Sequence, residues 1–273
     1  MSGASLNVSG RSLYLVVLPT YNERDTLPVI IERILSVSAD LDILVIDDSS
    51  PDETAAVAQE IAKRTRRVNV LVRPGKLGLG SAYIRGFEYG IANGYLGVCT
   101  MDADNSHDPA VLPKMIAAMS SCELVIGSRY VSGGSSNQSV LRKINSAIAN
   151  TLARRALDIS CRDCTSGFRL YSTDILRAIP LADLQSKGYS MLVELLCDVF
   201  EANGRVEEVP ICFIDRSVGQ SKIGAHEMWE SVRTMARLRR GRFGPLRTQI
   251  ANALFNIFYR AKKEAPADRK EVE

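Results

Sequence analysis

Two carboxylates separated by one residue, Asp102 and Asp104, follow an apolar segment in GVCTMDADNSHDP, residues 97–109. Side chains at positions i and i+2 of an extended backbone share a face, so both carboxylates can contact the same object. Carboxylates held this close repel each other, and a positive group between them relieves the repulsion. Mg²⁺ and Mn²⁺ prefer such oxygens and commonly share their shell with substrate phosphates. We therefore predict a divalent-metal site here; the alternative is a solvated acidic turn that caps the next helix.

Three basic side chains are candidate partners for those phosphates. Arg129 ends the strand-like segment ELVIGSRY, whereas Arg216 and Lys222 flank Gly219 in DRSVGQSK. Arginine binds phosphate through paired hydrogen bonds and lysine binds it as a point charge. A basic turn that carries a glycine is suited to close over phosphate groups. The alternative is an ordinary exposed basic loop.

Two further motifs have weaker chemical meaning. KLGLGSAYIRG places Gly78 and Gly80 between a strand and a helix, but Tyr83 stands where a dinucleotide-binding fingerprint needs glycine. We interpret these glycines as a tight turn. His107 lies between acidic residues and is either an acid–base group or a turn residue.

Segments of strand and helix character alternate along the first half of the chain. Strand-like runs cover 13–19, 41–47, 68–74, 95–101 and 123–130, and helical spacing covers 20–35, 55–64 and 81–93. This order predicts an α/β fold with a mostly parallel sheet flanked by helices. Ligands of such sheets bind outside the carboxyl ends of the strands. Four acidic residues follow strand ends and should line one crevice: Asp47, Asp48, Asp102 and Asp104.

The first helix shows the pattern most clearly. One helical face carries Leu27, Ile30, Ile31 and Ile34. Thr20 or Asn22 is available as its N-terminal cap.

The second half alternates less regularly. It contains a helix at 141–157, a polar turn at 161–171, a helix near 188–203 and a strand at 206–214. We expect a flexible N-terminus at 1–12, one catalytic domain at 13–240, and a C-terminal helical appendage at 241–273 that ends in a frayed tail.

Composition is that of a globular protein with a substantial core: 46% of the residues are hydrophobic and 24% are charged. We expect no secretory signal and no membrane-spanning helix. Cys99, Cys197 and Cys212 lie in apolar segments and are predicted to be buried, reduced thiols of a cytosolic protein. The pair Cys161 and Cys164 lacks the second pair that a zinc site needs.

The formal net charge of +3 is unevenly distributed. Residues 231–263 contain nine Lys or Arg and no acidic residue, while the rest of the chain has 25 basic and 31 acidic residues. Within this stretch one helical face carries Ile250, Leu254, Ile257 and Phe258. We predict that it lies on an anionic membrane surface; alternatively, it packs on the catalytic domain. No nucleic-acid reading module accompanies the charge, so no nucleic-acid partner is expected.

Several motifs together give a family resemblance over roughly residues 13–238. They are LPTYNE, VIDDSSPDET, KLGLGSAYIRGFEYG, MDADNSHDP, GSRYVSGG, TSGFRLY, SKGYSMLVELL and EVPICFIDRSVGQSK. In this order the chain resembles the dolichol-phosphate mannosyltransferases, polyprenyl-phosphate mannose synthases among the inverting family-2 glycosyltransferases. The resemblance implies a GT-A (Rossmann-like) fold. The acidic motifs indicate only the wider family, whereas TSGFRLY and EVPICFIDRSVGQSK are specific to the polyprenyl-phosphate branch.

The resemblance also implies roles for individual residues. The guanosine part of GDP-mannose would contact Pro19, Tyr21, Glu23 and Asp47 or Asp48. Asp102 and Asp104 would hold Mg²⁺ or Mn²⁺ on the diphosphate, with Ala103 close to the sugar nucleotide. The catalytic set would be Asp104 with the phosphate-binding residues Arg129, Arg216 and Lys222. Ser106 stands where some relatives have a glutamine ligand, and serine is a weaker ligand, so we leave it outside the metal shell.

The activity implied is transfer of mannose from GDP-mannose to a polyprenyl phosphate. Related possibilities are a UDP-sugar donor with the same lipid, or a family-2 transferase with a soluble acceptor. Many relatives carry C-terminal membrane helices, which are not evident here. We therefore expect a cytoplasmic protein held peripherally on the cytoplasmic face of a membrane, with room for a small membrane-anchoring partner.

Overall fold

The computed structural model describes residues 12–184, 186, 188, 190–214, 234, 237 and 238, except for the side chains of Leu141 and Asn145. The strands are β1 (Tyr14–Thr20), β2 (Leu41–Asp47), β3 (Val68–Val72), β4 (Gly97–Thr100), β5 (Leu124–Ser128), β6 (Ser135–Ser136), β7 (Arg169–Ser172), β8 (Val206–Pro210) and β9 (Cys212–Phe213). The α-helices are α1 (Leu27–Val37), α2 (Thr54–Arg64), α3 (Leu79–Ala92), α4 (Leu112–Ala118), α5 (Val140–Leu157), α6 (Thr173–Ala178) and α7 (Ser190–Glu201).

Seven strands form one sheet in the order β3-β2-β1-β4-β7-β5-β8. β1 pairs in parallel with β2 and β4, β2 with β3, and β5 with β8, whereas β7 runs antiparallel to both of its neighbours. β5 therefore points in the same direction as β1, β2 and β4. The predicted α/β class with a mostly parallel sheet is confirmed, and the carboxyl ends of these four strands meet at one edge.

Hydrophobic side chains cover both faces of the sheet. Along β1, Leu15 and Val17 join one buried cluster while Val16 and Leu18 join the other. This alternation follows from the two-residue period of a strand. The first cluster contains residues of α3, α5, α6 and α7, and the second contains residues of α1, α2 and α4. The sheet is thus a rigid layer whose exposed edge is left to carry polar loops.

Helix α1 follows the predicted pattern on its buried face but not at its start. Its buried residues are the four predicted ones: Leu27, Ile30, Ile31 and Ile34. The predicted cap is wrong, because the N-cap position is Thr26 and it makes no side-chain capping bond. Thr20 belongs to β1 and donates its hydroxyl proton to Asp47, while Asn22 lies in a turn with φ of 62°.

Helix α3 packs against the sheet at very short range. A Cβ added at Gly86 would lie 2.6 Å from Val17, and one at Gly90 would lie 2.3 Å from Val98. At the start of the helix Gly78 has φ of 92°, a conformation that favours glycine. Gly78 thus lies in the predicted turn, whereas Gly80 lies inside α3, so the interpretation of that glycine as part of a tight turn is wrong.

Strand β7 was missed by the sequence reading, which placed 161–171 in a polar turn. Arg169 opens the strand and is fully buried, and it donates to the backbone oxygens of Cys164, Ser166 and Leu192. A charged residue in a four-residue strand hides the apolar signal on which the prediction depended. The arginine instead pins the preceding loop to the sheet.

The thiols follow the prediction at two of three positions. Cys99 and Cys197 are buried, but Cys212 is exposed, so that part of the prediction is wrong. Cys212 lies in β9, which among the described strands pairs with β6 in a two-stranded sheet. A strand at such an edge leaves one face open to solvent.

Several predictions concern residues outside the described ranges. They concern residues 1–11 of the predicted flexible N-terminus at 1–12, the appendage at 241–273 with its apolar face, and the basic residues Arg216 and Lys222. Among the described helices, none has both the length and the apolar character needed to span a bilayer.

Candidate active site

The loops that follow β1, β2, β4 and β5 meet at the carboxyl edge of the sheet. They carry Tyr21, Asp48, Asp102 and Arg129, each directly or closely after a strand end. The loop that precedes β7 reaches the same edge, because β7 runs in the opposite direction. This edge is therefore where the predicted crevice lies.

The acidic pair lies in the loop after β4, which ends at Thr100. Asp102 and Asp104 are half-buried and Ala103 between them is buried, so burial alternates along the three residues. The hydroxyl of Tyr83, a fully buried residue of α3, lies 3.3 Å from Oδ1 of Asp102. The backbone N–H of Ser106 donates to Oδ1 of Asp104 at 2.9 Å. Neighbouring groups thus fix the orientation of both carboxylates.

The donor set of this loop fits a hard divalent cation. Its carboxylate oxygens are the ligands that Mg²⁺ and Mn²⁺ prefer. Ser106 is buried, and its Oγ has no hydrogen-bond partner within the described residues. The described part of the chain offers no group of three or more His, Cys, Asp or Glu side chains placed to hold a metal. A cation bound by only two acidic residues needs further oxygens, which substrate phosphates can supply.

His107 is buried and supports this loop through a hydrogen bond to its backbone. Its ring stacks on Phe168 with centroids 5.1 Å apart and meets Phe213 edge-on at 5.6 Å. The backbone N–H of Asp102 donates to its Nδ1 at 3.3 Å. Burial lowers the pKa of His107, with the negative charges of Asp102 and Asp104 opposing that shift. A buried, neutral ring that accepts a backbone hydrogen bond is a structural brace of the loop.

On the β2 side, the carboxylate of Asp47 is fully buried and bound to its own surroundings. It accepts from the hydroxyls of Thr20 and Ser50 and from the backbone N–H of Ser50. These bonds join the end of β1 to the loop after β2. Asp47 thereby shapes the floor of the crevice.

Asp48 forms a buried ion pair with Arg73. Its Oδ2 also accepts from the backbone N–H groups of Leu77 and Gly78 at 3.1 and 3.2 Å. The guanidinium of Arg73 in turn donates to Ser81 and to the backbone oxygen of Gly78. The pair therefore holds the loop before α3 against the end of β2.

The predicted nucleotide contacts Pro19, Tyr21 and Glu23 lie at the end of β1 and just beyond it. Tyr21 is exposed, and the ammonium of Lys76 lies 3.9 Å from its ring centroid. The carboxylate of Glu23 accepts from the hydroxyl of Thr26 at 2.7 Å. An aromatic face, a lysine and a carboxylate at the open side of the edge are groups that a nucleotide base and ribose can contact.

Arg129, the residue after β5, is held by Asp163. Its Nε and Nη2 each donate to one oxygen of this carboxylate at 2.8 Å, and its backbone N–H donates at 3.1 Å. Nη2 also donates to the hydroxyl of Thr165. Burial opposes ionisation of Asp163, but the hydrogen bonds and charge of Arg129 prevail and lower its pKa. The Arg129 side chain is 10% exposed, and these bonds fix the plane of its guanidinium.

The loop that carries Asp163 is itself anchored to two other elements, β8 and α5. Its backbone N–H donates to Glu208 of β8 at 2.9 Å. Asn150 of α5 accepts from the N–H of Cys164 at 2.7 Å and donates to Thr165 at 3.1 Å. The sulfurs of Cys161 and Cys164 are 3.6 Å apart, and both thiols are free and buried.

Sequence reasoning missed three residues that orient the predicted ones: Tyr83, Arg73 and Asp163. Their partners lie 19, 25 and 34 positions away along the chain. Spacing within one motif carries no information on contacts of that range. The contacts themselves show that Asp102, Asp48 and Arg129 are each positioned by a buried side chain from another element.

Comparison with known families gives a match to the model described as "Glycosyl transferase family 2" over residues 15–179. Two curated relatives are similar over most of their length. A polyprenol monophosphomannose synthase of Mycolicibacterium smegmatis is 41% identical over 221 residues, covering 80% of this chain and 83% of that protein. An undecaprenyl-phosphate mannosyltransferase of Micrococcus luteus is 40% identical over 224 residues, covering 82% and 92%.

Solved structures share the fold at lower identity. Glucosyl-3-phosphoglycerate synthase from Mycobacterium tuberculosis, in complex with Mn²⁺, UDP and phosphoglyceric acid, has a TM-score of 0.63 and 20% identity over 84% of this chain and 78% of that chain. The same enzyme with Mn²⁺, UDP-glucose and phosphoglyceric acid has a TM-score of 0.61 at 20% identity, covering 84% and 80%. The shared architecture is the GT-A-like fold that the sequence resemblance implied.

Proposed function

The chain is a member of glycosyl transferase family 2, and on that premise we propose that it transfers mannose from GDP-mannose to a polyprenyl phosphate with inversion at the sugar carbon. The acceptor class and the sugar are supported by the two curated relatives, which are about 40% identical over most of this chain. The products would be polyprenyl-phosphate mannose and GDP.

One observation carries the proposal: an acidic pair and a fixed arginine share the same sheet edge. Asp102 and Asp104 lie in the loop after β4, and Arg129 follows β5 with its guanidinium held by Asp163. Transfer between two phosphate-bearing molecules needs two places where negative charge is neutralised. An acidic, metal-suited place and a basic place meet that need.

The chemistry follows from the charges of the reactants. An oxygen of the acceptor phosphate attacks the anomeric carbon while the bond from that carbon to the GDP oxygen breaks on the opposite face. A phosphate monoester is already largely anionic near neutral pH, since its second pKa is about 6. A strong general base is therefore unnecessary, which agrees with His107 being buried among aromatic rings. The protein's task is positioning and charge neutralisation.

Asp102 and Asp104 are the residues that would hold Mg²⁺ or Mn²⁺. The ion would neutralise charge on the departing diphosphate. Tyr83 keeps Asp102 in place, and the N–H of Ser106 does the same for Asp104. Mn²⁺ accompanies the nucleotide in structures that share the fold, which supports a divalent ion without deciding between the two metals.

The remaining residues divide between donor and acceptor. We assign the guanosine side to Pro19, Tyr21, Glu23 and Asp47 or Asp48, and the sugar side to Ala103. We assign the phosphates to Arg129, Arg216 and Lys222. Since both Asp47 and Asp48 already accept protein hydrogen bonds, base contacts by either would use remaining lone pairs.

The test is incubation of the purified full chain with GDP-mannose labelled in the sugar, Mg²⁺ or Mn²⁺, and a panel of polyprenyl phosphates. Label should enter the organic phase, and it should not do so with Asp104→Ala or with chelator present. UDP-glucose and UDP-N-acetylglucosamine serve as competing donors, and a soluble phosphorylated acceptor serves as the competing acceptor. Transfer only from a UDP-sugar, or only to the soluble acceptor, would reject the proposal.

A further inference from the structure

The outer face of α5 carries an apolar stripe. Val140, Ile144 and Ile148 are 73%, 50% and 46% exposed. Residues four positions apart lie on the same side of a helix, so the three side chains form one line along about two turns. Ala147 and Thr151 are exposed on the same side. Several large aliphatic side chains in line on an otherwise polar surface mark an interaction site.

The charges of α5 have a single sign. Its ionisable residues are Arg142, Lys143, Arg154 and Arg155, and it contains no Asp or Glu. Lys143, Arg154 and Arg155 are exposed. On a helical projection Lys143 and Arg154 lie along one side of the stripe, and Arg155 continues its line about two turns beyond Ile148. An apolar stripe on a helix whose charges are all basic is the pattern of a helix that lies in the interface of an anionic bilayer.

The inner face of the same helix contacts the candidate active site. The hydroxyls of Ser146 and Tyr130, the residue after Arg129, are 2.8 Å apart. Asn150 donates to Thr165, whose hydroxyl accepts from Arg129. An α-helix with its side chains is about 10–12 Å across. The fixed guanidinium is therefore about one helix diameter from the plane on which the stripe would rest.

We propose that α5 is a membrane-binding surface: Val140, Ile144 and Ile148 insert among the acyl chains just below the headgroups of an anionic bilayer, and the basic residues contact the headgroups. The helix then holds Arg129 about one helix diameter from the acyl chains, at the depth of the outer edge of the headgroup layer. The role of that depth rests on the proposed function, whereas the binding itself does not. This surface is distinct from the basic stretch 231–263.

Charge favours a bilayer over a second copy of the chain as the occupant. A second copy that packed its own stripe on this one would bring the same four basic residues and no acidic residue of α5 to the contact. Like charges that approach each other are destabilising. Anionic headgroups instead neutralise the basic residues.

The test compares two matched double variants of the full chain in sedimentation with vesicles. Ile144→Ser with Ile148→Ser removes the stripe, and Val29→Ser with Leu96→Ser removes side chains of equal exposure, 50% and 51%, elsewhere on the protein. On vesicles of phosphatidylcholine mixed with phosphatidylglycerol, the stripe variant should bind at least about tenfold more weakly than wild type. The control variant should match wild type, and binding should fall with added salt or with phosphatidylcholine alone.

A direct contact measurement accompanies the binding assay. Ile144→Trp should show fluorescence quenching by brominated lipid beyond the level given by the single native tryptophan, and Leu96→Trp should show none. Equal binding by stripe and control variants together with no added quenching overturns the proposal. Loss of self-association in the stripe variant without loss of vesicle binding overturns it in favour of a second copy.

Activity separates this proposal from the proposed function. With a short, water-soluble polyprenyl phosphate, the stripe variant should turn over as wild type does, whereas with acceptor embedded in vesicles its rate should fall with its binding. If the wild-type chain binds vesicles through the stripe but transfers sugar to no polyprenyl phosphate, the proposed function fails and the surface stands. If the stripe variant loses activity equally with both acceptors, the helix acts on the site and not through the membrane.

Discussion

Two buried arginine–aspartate pairs, Arg73 with Asp48 and Arg129 with Asp163, lie at the same sheet edge and have different roles. At the β2 end, the guanidinium of Arg73 donates hydrogen bonds to Asp48, to Ser81 and to a backbone oxygen. The pair therefore holds the loop before α3 in place. At the β5 end, both carboxylate oxygens of Asp163 accept hydrogen bonds from Arg129. In the first pair the arginine fixes the position of a loop, and in the second pair the aspartate fixes the orientation of the arginine.

The difference shows that similar ion pairs in one crevice can have different roles in function. A buried arginine that donates to several groups of one loop makes a rigid wall of the crevice. A buried aspartate that holds one arginine from the side aims that arginine at something else. Removing one partner of a buried pair lowers the free energy of unfolding by about 3–5 kcal/mol in either case. Stability measurements therefore do not distinguish the pair that forms a wall from the pair that aims an arginine, whereas activity measurements do.

Asp163→Ala should have the largest effect. It leaves the Arg129 charge buried without its carboxylate and should lower the free energy of unfolding by about 3–5 kcal/mol. Mannose transfer should fall to background, because the guanidinium loses its orientation. Urea unfolding and the labelled-sugar assay measure the two effects, and Asp163→Asn, which keeps the shape, should retain more stability than activity. A folded Asp163→Ala enzyme with a normal rate would refute the aiming role.

Arg129→Lys should lower kcat about 100-fold. It should lower the free energy of unfolding by less than Asp163→Ala does. Lysine keeps the charge but cannot make the paired hydrogen bonds to Asp163 that fix the plane. Loss of one oriented donor in a transition state is typically worth about 10²–10³ in rate. The matched control is Arg73→Lys, for which we expect a change in kcat of about threefold or less. Equal losses of kcat in the two lysine variants would erase the distinction.

Arg73→Met should act on binding more than on turnover. Asp48 would keep the N–H donors of Leu77 and Gly78, so we expect a stability loss of about 2–3 kcal/mol, below the range for a fully unpaired charge. The loosened loop should raise KM for the nucleotide sugar severalfold. Steady-state kinetics at fixed acceptor separates KM from kcat, and a fall confined to kcat would contradict the wall assignment.

The smallest predicted effect is on acid stability. The folded-state pKa of Asp163 is lowered by Arg129 against the effect of burial. Its contribution to stability is therefore fully present above the unfolded pKa of about 4 and is lost as pH falls through the lower folded value. Asp163→Asn should be less stable at neutral pH and should lose stability less steeply between about pH 5 and pH 2. Parallel acid profiles for wild type and variant would show that this pair does not drive the acid transition.

The fold was predictable where the signal is local. The spacing of Leu27, Ile30, Ile31 and Ile34 identified the buried face of α1, and the apolar runs identified β1 to β5. β7 escaped because its defining residue is a buried arginine whose hydrogen bonds reach Leu192, far along the chain. Periodicity reports which face of an element is apolar; it does not report charges satisfied by tertiary contacts.

The candidate site was predictable to the same depth. Strand ends drew attention to Asp102, Asp104 and Arg129, because parallel strands bring their carboxyl ends together. The residues that orient them come from α3 and from the loop before β7, and nothing in the sequence joins those segments to the strand ends. The exposure of Cys212 was missed for a related reason, since its strand pairs away from the main sheet.

The position of β7 between β4 and β5 also bears on how the chain can fold as it is synthesised. The strands β3, β2, β1 and β4 are neighbours in the sheet and are all complete once Thr100 has left the ribosome. β4 then presents an open edge. Because β5 is synthesised before β7, β5 can pair prematurely with β4 in the place that β7 occupies in the native sheet. An open edge of this kind is a site for misassembly and aggregation. The native sheet is reached only if β5 stays apart until Arg169–Ser172 has emerged to insert between them.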